Sequence, residues 1–167
     1  MKRAGLAASV LAAAALIALQ PVHAQESEAA PSPEAQDPAY HARQQLYLLG
    51  LTPAEGWNFE PGGVRWRWLA YRASEQKPTV ASRIKVHYEG RLIDGTVFDS
   101  SYARGEPATF PLGRLVKGWQ IAIPNMGVGE TIEIAIPADL AYGPVGRGPI
   151  PPNATLVFKV ELIAIEG

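Results

Sequence analysis

From Trp57 onward, hydrophobic residues recur at alternate positions in short runs broken by Gly and Pro, the period-two pattern of strands with one face against a core. Val64, Trp66 and Trp68 alternate with Arg65 and Arg67, and Ile84, Val86 and Tyr88 alternate with Lys85, His87 and Glu89. Val97 and Phe98 follow an Asp94-Gly95 dipeptide of the kind that closes hairpins. Ile132, Ile134 and Ile136 form a fourth run. The fifth, residues 155–165, is the longest, with Leu156, Phe158, Val160 and Leu162 on one face and Lys159 and Glu161 on the other. Residues 109–112 form a further short run that Pro111 restricts to a sheet edge. One stretch among them has the helical period. Residues 117–123 place Trp119, Ala122 and Ile123 at i, i+3 and i+4, and Pro124 prevents the helix from continuing. Short antiparallel strands with one helix covering a sheet face describe an α+β domain over residues 57–167.

The pattern ahead of Trp57 is different. Lys2 and Arg3 precede an apolar stretch at residues 6–19, and Val22-His23-Ala24 supplies small residues at alternate positions, so residues 1–24 read as a signal peptide cleaved after Ala24. At about 1.5 Å rise per residue, that stretch is too short for a hydrocarbon layer about 30 Å thick, so no stable membrane insertion is expected after cleavage. Residues 25–39 are Gln, Glu, Ser, Ala, Pro and Asp, without an aromatic or branched aliphatic side chain, and read as a disordered linker. Residues 40–51 carry Leu46, Tyr47, Leu48, Leu49 and Leu51, and Gly50 stands where a helix takes a left-handed C-terminal residue, which predicts one short helix. Thr52-Pro53-Ala54-Glu55 has the capping-box pattern with Pro at the first helical position, but Gly56 limits it to a single turn. Residues 40–56 thus form a short helical extension that packs on the main domain or serves as a self-association or docking arm.

Composition removes several kinds of chemistry. The chain has 167 residues, 16 Gly, 15 Pro, no Cys and three His, which excludes a disulfide framework, a thiolate metal site and a His-rich metal tract. A formal charge of −1 gives no general electrostatic reason to bind nucleic acid. The arginines between Trp66 and Trp68 fit the outward face of a half-buried strand better than a stacking platform. No Ser stands in a nucleophile elbow, and Ser100-Ser101 is expected to have no neighbouring His to serve as base. Gly127-x-Gly129 and Gly146-x-Gly148 are turn glycines rather than phosphate-cradling loops. Asn153-Ala154-Thr155 matches a glycosylation sequon, relevant only in a eukaryotic exporting cell.

What remains is a density of aromatics, and their setting carries a resemblance. Val86-His87-Tyr88-Glu89-Gly90, Asp94-Gly95-Thr96-Val97-Phe98-Asp99-Ser100-Ser101, Gly118-Trp119, Ala141-Tyr142-Gly143 and Ile150-Pro151-Pro152-Asn153-Ala154-Thr155-Leu156-Val157-Phe158 stand in the order seen in FKBP-type peptidyl-prolyl cis-trans isomerases. The chain resembles an exported bacterial form of that family over nearly all of residues 57–167. The resemblance implies a five- or six-stranded antiparallel sheet wrapped around one short helix, with a cofactor-free active site between them. It implies isomerisation of X-Pro bonds in unfolded or nascent exported polypeptides, with macrolides as candidate ligands; the alanine-rich signal peptide with its short linker suits bacterial export to a periplasm. A non-catalytic peptide-binding module or holdase using the same cleft is the alternative.

By the same resemblance, Trp119 is the pocket floor, Tyr88, Phe98 and Phe158 are apolar walls, and Asp99 is the polar group at the rim, paired with Arg104. Val116 resembles the residue whose backbone N–H meets the carbonyl after the proline, and Tyr142 the phenol that donates to the carbonyl at the susceptible bond. Leu115, Ile150 and Phe110 resemble flanking substrate-binding positions, and no metal is implied. Packing in an ordinary core would explain strand aromatics and a Trp on a helix equally well. Three departures stand out: Ala108 in place of an aromatic wall, a shortened segment at residues 113–119, and a shortened flap at residues 144–149 carrying Arg147 and Pro149.

Overall fold

The computed structural model describes residues 37–166; the signal peptide and most of the linker read from the sequence lie outside them. The elements run α1 (Pro38–Gly50), β1 (Asn58–Phe59), β2 (Arg65–Ala70), β3 (Arg83–Leu92), β4 (Val97–Ser100), α2 (Ser101–Arg104), β5 (Ala108–Pro111), α3 (Lys117–Ala122), β6 (Thr131–Ile136) and β7 (Leu156–Glu166). The strands form one antiparallel sheet in the order β1-β2-β6-β7-β3-β4, with β5 also on β3.

Alternation along β3 explains the arrangement. Ile84, Val86, Tyr88 and Gly90 are buried while their neighbours are exposed or half-buried, so one face of the strand is committed to the core. One edge of β3 pairs with β7 from Arg83↔Glu166 to Leu92↔Leu156. The other edge is shared, β5 covering its first half and β4 its second, with the single turn of α2 between them. The β3–β4 turn closes as the Asp94-Gly95 dipeptide predicts: Gly95 is left-handed at φ 91° and the Asp94 carboxylate accepts from the Thr96 N–H at 2.8 Å. α3 packs on the core face, and Trp119, Ala122 and Ile123 are all buried, as their spacing implies. Past Ala122 the chain tightens into a 3₁₀ turn, Ile123–Asn125, that accommodates Pro124.

The α+β class stands, with corrections at the level of elements. β1 is an added two-residue strand with both residues exposed, and α2 is a helical turn that no period announces. Helix α1 begins at Pro38, capped by the Asp37 side chain on the Ala39 N–H at 2.9 Å, so the linker ends before Ala39. Gly50 belongs to α1 and is not left-handed; the helix ends instead at extended Leu51, whose N–H bonds Leu48. Thr52–Glu55 does form a single 3₁₀ turn, closed by Gly56 at φ 84°.

α1 is tied to the sheet. The buried Gln44 side-chain oxygen accepts from the Thr155 N–H at 2.8 Å, just ahead of β7. Tyr47 lies near a cross-strand ion cluster, in which the buried Glu133 of β6 bonds half-buried Arg67 of β2 at 2.7 Å and Arg91 of β3 at 2.5 Å.

Candidate functional site

Two glycines let the aromatic residues meet. A Cβ on Gly118 would lie 2.4 Å from Ile136 Cγ2, so its absence lets α3 settle on β6 and fixes where Trp119, the next residue, enters the core. A Cβ on Gly90 would lie 2.6 Å from the Phe98 ring and 2.7 Å from the Phe158 ring, so the bare strand makes room for that pair. The result is a continuous chain of rings in edge-to-face contact. Phe110 meets Tyr88 at 5.9 Å, Tyr88 meets Trp119 at 5.7 Å, Trp119 meets Phe158 at 5.3 Å, and Phe158 meets Phe98 at 5.6 Å between centroids. Trp119, Tyr88 and Phe158 are buried, whereas Phe98 and Phe110 at the ends are half-buried. Four strands and one helix thus converge on a single apolar surface centred on Trp119.

The remaining sequence-predicted residues border this surface. Val116 is the N-cap of α3 and Leu115 precedes it; both are half-buried against the core cluster. The Gln120 amide donates to the Leu115 carbonyl at 2.7 Å and to the Gly113 carbonyl at 3.2 Å, which pins the segment ahead of α3. Ile150 is part of the buried cluster and Tyr142 packs against it, both from the loop between β6 and β7. Ala108 is half-buried on β5, opposite Val86.

A polar triad closes one end. The Tyr88 hydroxyl donates to Asp99 Oδ2 at 2.5 Å, Arg104 donates to the Tyr88 oxygen at 3.0 Å, and the Arg104 guanidinium pairs with Asp99 Oδ1. Burial alone would raise the Asp99 carboxyl, but hydrogen bonds from Tyr88 and Arg104, with the guanidinium charge, hold it below the usual carboxylate range. Burial and the Asp99 hydrogen bond push the Tyr88 phenol up. α2 aims Arg104 at this triad: the Ser100 side chain caps it on the Ala103 N–H at 3.2 Å and Gly105, left-handed at φ 76°, ends it.

One expectation is overturned here. Folding brings His87 to Ser101, with Nδ1 3.0 Å from Oγ. The pair is not a nucleophile and base, because Ser101 is fully buried and its hydroxyl is committed, accepting from the Tyr88 N–H at 2.7 Å and facing the Tyr88 carbonyl at 3.1 Å. Ser101 instead locks α2 to β3 at Tyr88. Sequence reasoning missed this role, although Ser101 sits inside the quoted Phe98-Asp99-Ser100-Ser101 motif. A separate cleft lies between α1 and the β3–β4 turn, lined by residues such as Arg43, Gln44, Ile93 and Pro151, and none of the aromatic cluster reaches it.

The model of the FKBP-type peptidyl-prolyl cis-trans isomerase family matches residues 74–163. The FKBP-type 22 kDa peptidyl-prolyl cis-trans isomerase of Escherichia coli is 48% identical over 120 residues, 71% of this chain and 58% of that protein. The outer membrane protein MIP of Legionella longbeachae is 45% identical over 108 residues, 64% of this chain and 46% of that protein. The chain therefore spans about half the length of these two relatives. The crystal structure of a peptidyl-prolyl cis-trans isomerase from Pseudomonas syringae superposes with a TM-score of 0.70 at 33% identity, covering 83% of this chain and 98% of that one. With the family model spanning more than half of the chain and a solved isomerase superposing over most of it, this protein belongs to the FKBP-type peptidyl-prolyl cis-trans isomerases.

Proposed function

We propose that this chain catalyses cis-trans isomerisation of X-Pro bonds in exported, unfolded or nascent polypeptides. The observation that carries the proposal is the unbroken run of five rings with Trp119 between Tyr88 and Phe158. Rotation about an X-Pro amide faces a barrier of about 18–20 kcal/mol from its partial double bond. No bond is broken. In the twisted transition state amide resonance is lost and the carbonyl becomes less polar, so a dry, apolar surface favours that state relative to water. Shortening tens of seconds to milliseconds requires a factor of about 10⁴, or roughly 5–6 kcal/mol.

In this reading the prolyl ring lies on Trp119, walled by Tyr88, Phe98 and Phe158. Burial of that ring is similar in ground and transition states and supplies affinity. The differential part comes from desolvation and directed hydrogen bonds: the Val116 N–H to the carbonyl after proline, and the Tyr142 phenol to the carbonyl at the rotating bond. Asp99, held ionised by Tyr88 and Arg104, fixes the rim and keeps the Tyr88 ring in place. Leu115, Ile150 and Phe110 contact flanking residues. Macrolides that mimic a proline ring between two carbonyls are candidate ligands of the same cleft. Residues 57–167 form the catalytic domain and residues 40–56 an extension fastened to it through Gln44.

The amino-terminal address of residues 1–24, together with a relative described as an outer membrane protein, supports export, with the periplasm as the destination. Exchange spectroscopy on a peptide containing Leu-Pro-Phe tests the activity. Micromolar protein is expected to accelerate cis-trans exchange, and unchanged exchange overturns the proposal.

A further inference from the structure

Residues 141–154 contain one charged side chain, Arg147. Its backbone is locked in a tight turn: the Arg147 N–H donates to the Ile150 carbonyl at 3.0 Å and the Ile150 N–H returns to the Arg147 carbonyl at 2.9 Å. Gly146 and Gly148 on either side are left-handed, at φ 72° and 54°. A Cβ at Gly146 would meet the Ile150 carbonyl oxygen at 2.3 Å, so the turn closes as tightly as it does because that residue is glycine. The exposed Arg147 guanidinium carbon lies 5.8 Å from the centroid of the Tyr142 ring. The loop thereby holds a cation beside Tyr142 and bonded through its backbone to Ile150, the two residues this loop contributes to the cleft.

The arginines that border the aromatic surface and the ion cluster beneath α1 have their charge balanced. Arg104 pairs with Asp99, and Arg67 and Arg91 share Glu133. Among the described residues no carboxylate forms an ion pair with Arg147. A charge that is fixed in place, exposed and uncompensated biases what approaches it. On the isomerase reading above, Tyr142 addresses the carbonyl at the rotating bond, which belongs to the residue before proline. We infer that Arg147 is a specificity-determining residue that favours X-Pro segments with an acidic side chain at X. An exposed pair of this kind shifts kcat/KM by about two- to fivefold. The shift grows at low salt, where the screening length lengthens from about 8 Å at physiological ionic strength to about 30 Å at 0.01 M.

The test measures cis-trans exchange catalysis on three peptides alike except for Glu, Gln or Lys before proline, at 10 mM and 500 mM salt, with the wild-type full chain and with Arg147→Glu and Arg147→Ala. The readout is the Glu-to-Gln ratio within each preparation, so loss of active protein cancels. A ratio about two- to fivefold higher for wild type than for Arg147→Glu, intermediate for Arg147→Ala and reduced at high salt, is the expected result. Equal ratios across the three proteins, with catalysis retained on the Gln peptide, overturn the inference while leaving the isomerase reading intact. Absence of catalysis by the wild type on all three peptides overturns that reading instead.

Discussion

Gly90 and Gly118 shape the site by what they lack. Replacing Gly90 with Ala drives a methyl into the Phe98 and Phe158 rings, and Phe158 cannot retreat freely because it is wedged between Trp119 and Phe98. Gly90→Ala is expected to cost about 1–3 kcal/mol of stability through overpacking and to reduce isomerase activity more than tenfold, read by urea unfolding and by the exchange assay on the same protein. An unchanged exchange rate would show that the spacing of Phe98 and Phe158 does not matter to turnover. Asp99 acts through charge rather than volume. Its carboxyl is held low by Tyr88 and Arg104, so kcat/KM is expected to stay flat as pH falls through the ordinary carboxylate range and to drop only below it. Asp99→Asn, which keeps shape but removes charge, should lower kcat/KM by about tenfold at pH 7, since hydrogen bonds to a charged group outweigh neutral ones. A decline of wild-type activity centred near pH 4 would contradict the assigned protonation state.

At the scale of elements, what could be read in advance was what local chemistry decides. β3 and most of β7 alternate because each buries one face, β6 places its three isoleucines on one face although Glu133 and Ala135 on the other are buried too, and α3 shows its period because Trp119, Ala122 and Ile123 share a side. Neither residue of β1 is buried, so no pattern marks it; it exists through pairing with Trp66 and Arg65. Gly50 suits a left-handed cap, yet α1 ends through extended Leu51 with no left-handed residue. Ser101 with His87, and Glu133 with Arg67 and Arg91, are long-range contacts that no local signal reports. The aromatic residues that cluster were legible because their motifs are short and ordered; the Gln120 clamp on Leu115 and the room that Gly90 leaves for two rings depend on packing. The shortest hydrogen bond that ties α1 to the sheet is made by one buried amide, that of Gln44. Gln44→Ala leaves the Thr155 N–H without its acceptor in a buried place, at a cost of about 1–3 kcal/mol. Hydrogen exchange should then show earlier opening of residues 38–50 and of Thr155, with the aromatic cluster still protected.

Across the whole molecule, the titrating groups define the pH range of stability from both sides. Asp94, Asp99 and Glu130 have carboxyls held below their ordinary values: Asp94 by the Thr96 backbone N–H, Asp99 by Tyr88 and Arg104 against its burial, and Glu130 by the Gly127, Arg72 and Ser74 N–H groups against its burial. For such groups the unfolded chain takes up protons first as pH falls. Their stabilisation is therefore complete above the unfolded value near 4 and is lost as pH drops through the folded values, at up to about 1.4 kcal/mol per pH unit for each proton. The tyrosines act in the opposite sense. Burial raises Tyr47, Tyr88 and Tyr102, the last to about 12 with help from Glu161, so the unfolded chain loses those protons first. Their contribution is complete below about pH 10 and is lost as pH climbs toward the folded values. Urea midpoints measured from pH 2 to 12 should form a plateau that falls at both ends. Glu130→Gln should flatten the acid limb while lowering the plateau, because its carboxylate serves three backbone donors that an amide satisfies less well, with Gly127 N–H the closest at 2.6 Å. Tyr102→Phe should flatten the alkaline limb and leave the acid limb as it was. If the two substitutions altered both limbs alike, the pH dependence would arise from net charge rather than from these particular hydrogen bonds.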